Sequence, residues 1–146
     1  MKYRGSCLCG EVTYEVSGAL SDFGYCHCKS CQKASGSAHG ANAGVNRDQL
    51  ILHDAQGYLK EYESSPGKIR AFCSNCGSPM LAYLKTTPSL VRIRLGSLDT
   101  PFTKHPQAHT FVSEKAEWES IEGDVPQFET WASRDVLEQL GSKQPE

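Results

Sequence analysis

Seven cysteines fall into three clusters, Cys7-x-Cys9, Cys26-x-Cys28-x-x-Cys31 and Cys73-x-x-Cys76. Thiolates are soft ligands, and zinc takes four ligands in a tetrahedron with Zn–S near ~2.3 Å. On an extended segment, residues two apart point to one face, so Cys7 and Cys9 can grip a single ion. Cys73-Ser74-Asn75-Cys76-Gly77 has the form of a zinc knuckle. Its tight turn aims backbone N–H groups at the sulfurs, and Gly77 supplies a positive φ just after it. Cys26, Cys28 and Cys31 are close enough to bind one ion from a single loop. The simplest division is therefore four plus three. A four-sulfur site is closed and holds the fold, whereas a three-sulfur site leaves a position for water or substrate, as catalytic zinc requires. The spacing permits other divisions. Cys26 and Cys28 can join Cys7 and Cys9 and leave Cys31 free, or His27 or His39 can fill a fourth position and make both sites structural. A redox role for Cys73-x-x-Cys76 is disfavoured because no βαβ pattern surrounds it.

The rest of the composition agrees with metal chemistry. Seven is an odd number, so a complete set of intrachain disulfides is excluded. The first residues, Met1 to Cys7, have no apolar signal core, and no apolar run approaches the roughly 20 residues that cross a bilayer. A cytoplasmic protein with reduced thiols and no membrane association is expected. The formal charge is -2, and zinc-bound thiolates make it more negative still. This excludes the basic excess that nucleic acid binding needs.

The ligands have to be positioned by short strands. In Glu11 to Val16, Val12, Tyr14 and Val16 alternate with Glu11, Thr13 and Glu15, the pattern of a half-buried strand. Further strands are expected at Leu50–His53, Tyr58–Tyr62, Lys68–Phe72, Met80–Leu84, Leu90–Leu95 and Thr110–Val112. Ser64-Ser65-Pro66-Gly67 and Thr86-Thr87-Pro88-Ser89 are turns by composition. One helix is expected, from about Arg134 to Leu140, with Val136, Leu137 and Leu140 on one side. With 146 residues, 13 Gly and 7 Pro, the chain reads as one mostly β domain over residues 1–146, of short, largely antiparallel twisted sheets clasped by zinc, with a short C-terminal helix. Its core runs from about residue 4 to 133, and residues 141–146 form a polar tail.

Gly5-Ser6-Cys7-Leu8-Cys9-Gly10-Glu11-Val12, Cys26-His27-Cys28-Lys29-Ser30-Cys31-Gln32-Lys33 and Phe72-Cys73-Ser74-Asn75-Cys76-Gly77 together resemble the glutathione-dependent formaldehyde-activating enzyme family. That domain also occurs in a centromere-associated protein. The resemblance runs from about Arg4 to Trp118. It implies a mostly β domain with two zinc ions per chain. Cys7, Cys9, Cys73 and Cys76 would hold the structural ion, and Cys26, Cys28 and Cys31 the catalytic one. It also implies a carbon–sulfur lyase-like reaction on a thiol–aldehyde adduct such as S-hydroxymethylglutathione, with a small thiol such as glutathione as partner. The formaldehyde-activating members carry a longer segment before the first cysteine pair than the six residues here. The rival reading is a non-catalytic, zinc-stabilised protein-interaction module.

Other residues have bland roles to beat. Lys29, Lys33, Arg70, Arg92 and Arg94 can attract a ligand carboxylate, but a solvated charged face is the expectation. His27 sits between two ligands as a second-shell donor, a general base or a plain packed ring. His39, His53, His105 and His109 form no pattern. Trp118 and Trp131 are expected in core or rim packing. Gly36, Gly40 and Gly44 let backbone approach a ligand, or let strands bend.

Overall fold

The computed structural model describes residues 2–140. The tail expected at 141–146 lies outside them. Ten strands form in chain order: β1 (Lys2–Ser6), β2 (Thr13–Ser17), β3 (Phe23–Cys26), β4 (Gly40–Asn46), β5 (Leu50–His53), β6 (Leu59–Ser65), β7 (Lys68–Cys73), β8 (Pro79–Leu84), β9 (Leu90–Arg94) and β10 (His109–Thr110). Two short helices accompany them, α1 (Lys29–Ser35) and α2 (Arg134–Gln139). A three-stranded sheet runs β1-β2-β5 and a seven-stranded sheet runs β10-β3-β4-β9-β8-β7-β6. Every pairing is antiparallel except the short one between β10 and β3. The mostly β, largely antiparallel class is as the sequence predicts.

The core lies between the two sheets. From the small sheet come Tyr3, Tyr14 and Val16, with Val12 just before β2, and from the large sheet Ala43, Val45, Ala71, Val91 and Ile93, all buried. The alternation of β2 therefore places its apolar face inward. Tyr14 stands opposite Gly5 in the β1–β2 register. A Cβ on Gly5 would come within 2.2 Å of the Tyr14 ring, so the glycine is what lets that ring cross β1. The Tyr14 hydroxyl sits 2.7 Å from Ser97 Oγ, and burial pushes it up to about 12.

Register fixes the second face of the large sheet. Arg70 and Arg92 both pair with Ala82, Gly44 pairs with Arg92, and Asn42 with Arg94. Paired residues share a face, so Lys68, Arg70, Arg92 and Arg94 lie together opposite the core residues Ile69, Val91 and Ile93. Helix α1 was not expected, because seven residues are too few to show a 3.6-residue period. It begins at Cys28, whose side chain caps it, and ends at Gly36 with φ 67°. Among the described residues no helix is long and apolar enough to cross a membrane.

Candidate functional site

Cys7 follows β1 directly and Cys9 sits in the β1–β2 turn. Cys73 ends β7 and Cys76 lies in the β7–β8 turn. The four Sγ atoms lie within 4.8 Å of one another. Cys7–Cys9 is 3.5 Å and Cys9–Cys73 is 3.9 Å. Those separations are far too long for a disulfide at ~2.05 Å. They match the ~3.8 Å edge of a tetrahedron with Zn–S near ~2.3 Å, so the four sulfurs fit a closed thiolate site. Surrounding donors support negative charge. The Val12 N–H donates to Cys7 Sγ at 3.3 Å, and the Ser78 hydroxyl lies 3.2 Å from Cys76 Sγ. As free thiols the group titrates unequally: Ser78 is the main cause that draws Cys76 down to about 5, whereas burial pushes Cys73 up to about 11. Gly77 takes φ 82°, as the knuckle requires. One pair comes from each sheet, so an ion here clasps the two layers.

The second group comes from three different settings rather than one loop. Cys26 ends β3, Cys28 is the N-cap of α1 and Cys31 lies in its first turn. Their sulfurs also lie within 4.8 Å of one another, with Cys26–Cys28 at 3.4 Å. As thiols they hold one negative charge readily. Cys31 is drawn down to about 2 because Cys26 and Cys28 donate to it and Arg70 faces it, while giving its proton to that network pushes Cys26 up. Among the described residues no fourth Cys, His, Asp or Glu completes this group.

The histidines that might have filled it are turned elsewhere. His27 is fully buried, with Nε2 2.9 Å from His109 Nδ1. His39 stacks on the Tyr25 ring at a centroid distance of 3.9 Å. The Gln32 side-chain amide fixes this region by donating to the backbone carbonyls of His27, at 2.7 Å, and Glu114, at 2.9 Å.

The three cysteines open onto a cavity of about 330 Å³. Its lining includes the cations Lys68, Arg70 and Arg92 and the apolar side chains Leu84, Leu90, Phe111, Trp131 and Leu137. Arg94 is buried beside the cysteines, its Nη1 donating to Asn42 Oδ1 at 3.1 Å. This overturns the expectation of a solvated face for Arg70, Arg92 and Arg94. Lys29 and Lys33 are exposed as expected. Gly40 lies close under this arrangement: a Cβ there would lie 2.8 Å from Arg94 Nη1, which would have to shift, and 3.4 Å from Cys31 Cβ. Phe111 is the one non-glycine residue with positive φ among those described, at 55°. Its ring packs edge-on against Trp131 at 5.1 Å. Trp131 therefore forms a rim, whereas Trp118 is 72% exposed and packs in neither core nor rim. Sequence reasoning missed Lys68 and Phe111. Lys68 had a usable signal, because it shares a strand face with Arg70 two residues on.

A two-sheet β domain with a cluster of four cysteines and a cluster of three that lines a pocket is a fold and a candidate site together. Residues 2–114 match the family described as glutathione-dependent formaldehyde-activating enzyme, and the chain belongs to that family. A Halomonas elongata protein named "Putative glutathione-dependent formaldehyde-activating enzyme" is 32% identical over 130 residues, covering 84% of this chain and 82% of that one. A crystal structure of a Rhodobacter sphaeroides protein shares the fold, with a TM-score of 0.57 and 20% identity over 68% of this chain and 91% of that one.

Proposed function

We propose that this protein is a zinc-dependent carbon–sulfur lyase-like enzyme that joins a small thiol to an aldehyde and cleaves the adduct in reverse. Formaldehyde and glutathione are the first pair to consider, on the strength of the family. The thiol sulfur bonds to the aldehyde carbon, the carbonyl π pair moves to oxygen, and the thiol proton ends on that oxygen. The observation that carries this reading is a three-sulfur group with no fourth ligand among the described residues, lining a pocket.

Cys7, Cys9, Cys73 and Cys76 would hold a structural zinc. Cys26, Cys28 and Cys31 would hold the catalytic one, giving two ions per chain. A zinc ion on three thiolates supplies an unfilled ligand position and lowers the pKa of a thiol that enters it. The chain orients the site. Cys28 is fixed by the Cys31 N–H at 3.4 Å, and Arg70, braced by Ser64 Oγ at 2.9 Å, faces Cys31. Leu84, Leu90, Phe111 and Trp131 give the cavity an apolar lining beside the cysteines. Seven reduced cysteines suit a cytoplasmic setting. A purely structural zinc module needs no such pocket.

Zinc-loaded protein mixed with glutathione and formaldehyde is expected to raise the rate at which the S-hydroxymethyl proton signal appears by NMR, and Cys28→Ser is expected to return it to the buffer rate. Equal rates with and without the wild-type protein would contradict the lyase reading.

A further inference from the structure

Lys68 and Lys115 are the half-buried lysines among the described residues. Lys115 Nζ donates to the carbonyls of Ala116, at 3.2 Å, and Glu119, at 2.7 Å. Lys68 Nζ forms no hydrogen bond and no ion pair among the described residues. The exposed Lys2, Lys85 and Lys104 each meet a carboxylate. An amine drawn out of water with no partner is costly to keep protonated. Burial loosens the Lys68 proton first, and the charges of Arg70, Arg92 and Arg94 add to that. Desolvation and neighbouring cations are the two means by which a lysine amine is made nucleophilic towards a carbonyl carbon.

The place of Lys68 in the sheet brings this amine to the cysteines. Lys68 pairs with Ser65 on β6 and with Leu84 on β8, and all three line the cavity that Cys26, Cys28 and Cys31 also line. Arg70, the next residue on the same face of β7, stands beside Cys31. Same-face residues are spaced roughly 6.6 Å along a strand, a distance of the order that the flexible four-carbon stem of lysine covers. One cavity therefore offers a carbonyl carbon two nucleophiles, an unpartnered amine and a thiol that enters at the three sulfurs.

We propose that Lys68 captures the aldehyde as an iminium and passes its carbon to the thiol held at Cys26, Cys28 and Cys31. This rests on the thiol–aldehyde reading above and adds a covalent carrier to it. The Nζ lone pair bonds to the carbonyl carbon, the π pair moves to oxygen, and one amine proton follows it. The carbon–oxygen bond then breaks, and the oxygen takes the proton released by the thiol and leaves as water. The thiolate sulfur bonds to the iminium carbon, and the carbon–nitrogen π pair returns to Nζ. Finally a water oxygen bonds to that carbon, the carbon–nitrogen σ pair leaves with Nζ, and a proton from that water restores the amine. The sum is thiol plus aldehyde giving the S-hydroxyalkyl adduct, as for direct addition. The advantage lies in the electrophile, because an iminium carbon accepts a thiolate more readily than a carbonyl carbon does.

The test joins reductive trapping to kinetics on zinc-loaded protein. With formaldehyde and cyanoborohydride at pH 7, hydride reduces the iminium and leaves a methyl group on the nitrogen, which peptide mass spectrometry locates. Lys68 is expected to be methylated ~10-fold or more faster than the exposed Lys29 and Lys33 in the same sample. Lys68→Arg keeps the positive charge but has no amine to condense. It is expected to slow adduct formation from glutathione and formaldehyde, followed by NMR, by roughly 10-fold or more. When that variant is loaded with cobalt, its sulfur-to-metal charge-transfer response to glutathione is expected to match the wild type. A lysine that merely attracts an anionic substrate would keep its rate in Lys68→Arg. Trapping needs no substitution, so its result holds even where Lys68→Arg disturbs the metal site. Methylation of Lys68 no faster than that of Lys29 and Lys33, or a wild-type rate in Lys68→Arg, would overturn the inference and leave the lyase reading standing. Wild-type protein that adds nothing to the buffer rate would overturn both.

Discussion

Burial pushes the Lys68 ammonium down to about 8, helped by the positive groups of Arg70 on its own strand and of Arg92 and Arg94 on β9; the Cys31 thiolate acts in the opposite sense. Lys68 therefore holds its proton less firmly than an exposed lysine does. The imidazoles behind the cysteines titrate in another range. Burial first, then His39 and His109, push His27 down to about 4, and burial also lowers His39 and His109. The unfolded chain takes up these protons near its ordinary histidine value of ~6.5, before the folded chain does. Stability is therefore full at neutral pH and drains as pH falls from ~6.5 towards 4. Urea midpoints measured with zinc in excess should fall from pH 7 to pH 5, and the fall should be shallower in His39→Gln. A flat profile in the wild type would show that the rings are not buried neutral.

Strand β4, Gly-Ala-Asn-Ala-Gly-Val-Asn, backs the three-cysteine group with mostly small residues of low strand propensity. Its Ala43 and Val45 enter the core, and its other face must stay low so that Arg94 and Cys31 can pack over Gly40. Gly40→Ala is expected to cost ~1–3 kcal/mol by overpacking and to weaken metal binding at Cys26, Cys28 and Cys31 while sparing the other four cysteines. Denaturation combined with metal titration measures both effects, and a neutral Gly40→Ala would contradict the tight approach. The same feature explains what the sequence could and could not reveal. β2, β7 and β9 alternate apolar and polar residues at period two, and β5 and β8 are short apolar runs, so their positions were legible. β4 and α1 were not, because small residues selected for close approach leave no hydrophobic period, and seven residues make too short a helix. The cysteine groups were legible from spacing and family likeness together. The burial of Arg92 and Arg94 was not, because alternation gives the face of a strand but not whether cysteines, α1 and α2 cover that face.

At the scale of the molecule the two cysteine groups sit differently in the fold, so ions bound there would differ in mechanical role. Cys7 and Cys9 lie in the β1–β2 connection of the small sheet, and Cys73 and Cys76 lie at the β7–β8 connection of the large one, so an ion among them would tie the layers that enclose the core. An ion among Cys26, Cys28 and Cys31 would tie β3 only to the adjoining α1. Cys73→Ser is expected to remove a large part of a net stability that is only about 5–15 kcal/mol for a domain. Cys28→Ser should keep a cooperative melt and lose one ion. Equal destabilisation by the two substitutions, read by thermal denaturation, would mean that both groups are structural. The central claim is one closed four-sulfur site and one open three-sulfur site, and X-ray absorption at the zinc edge, with metal content measured on the same sample, tests it most directly. Two zinc ions per chain are predicted, with a mean sulfur count between three and four that rises to four when 3-mercaptopropionate is added. A count of four sulfurs per zinc before any thiol is present, or one that does not change on adding it, would contradict the account.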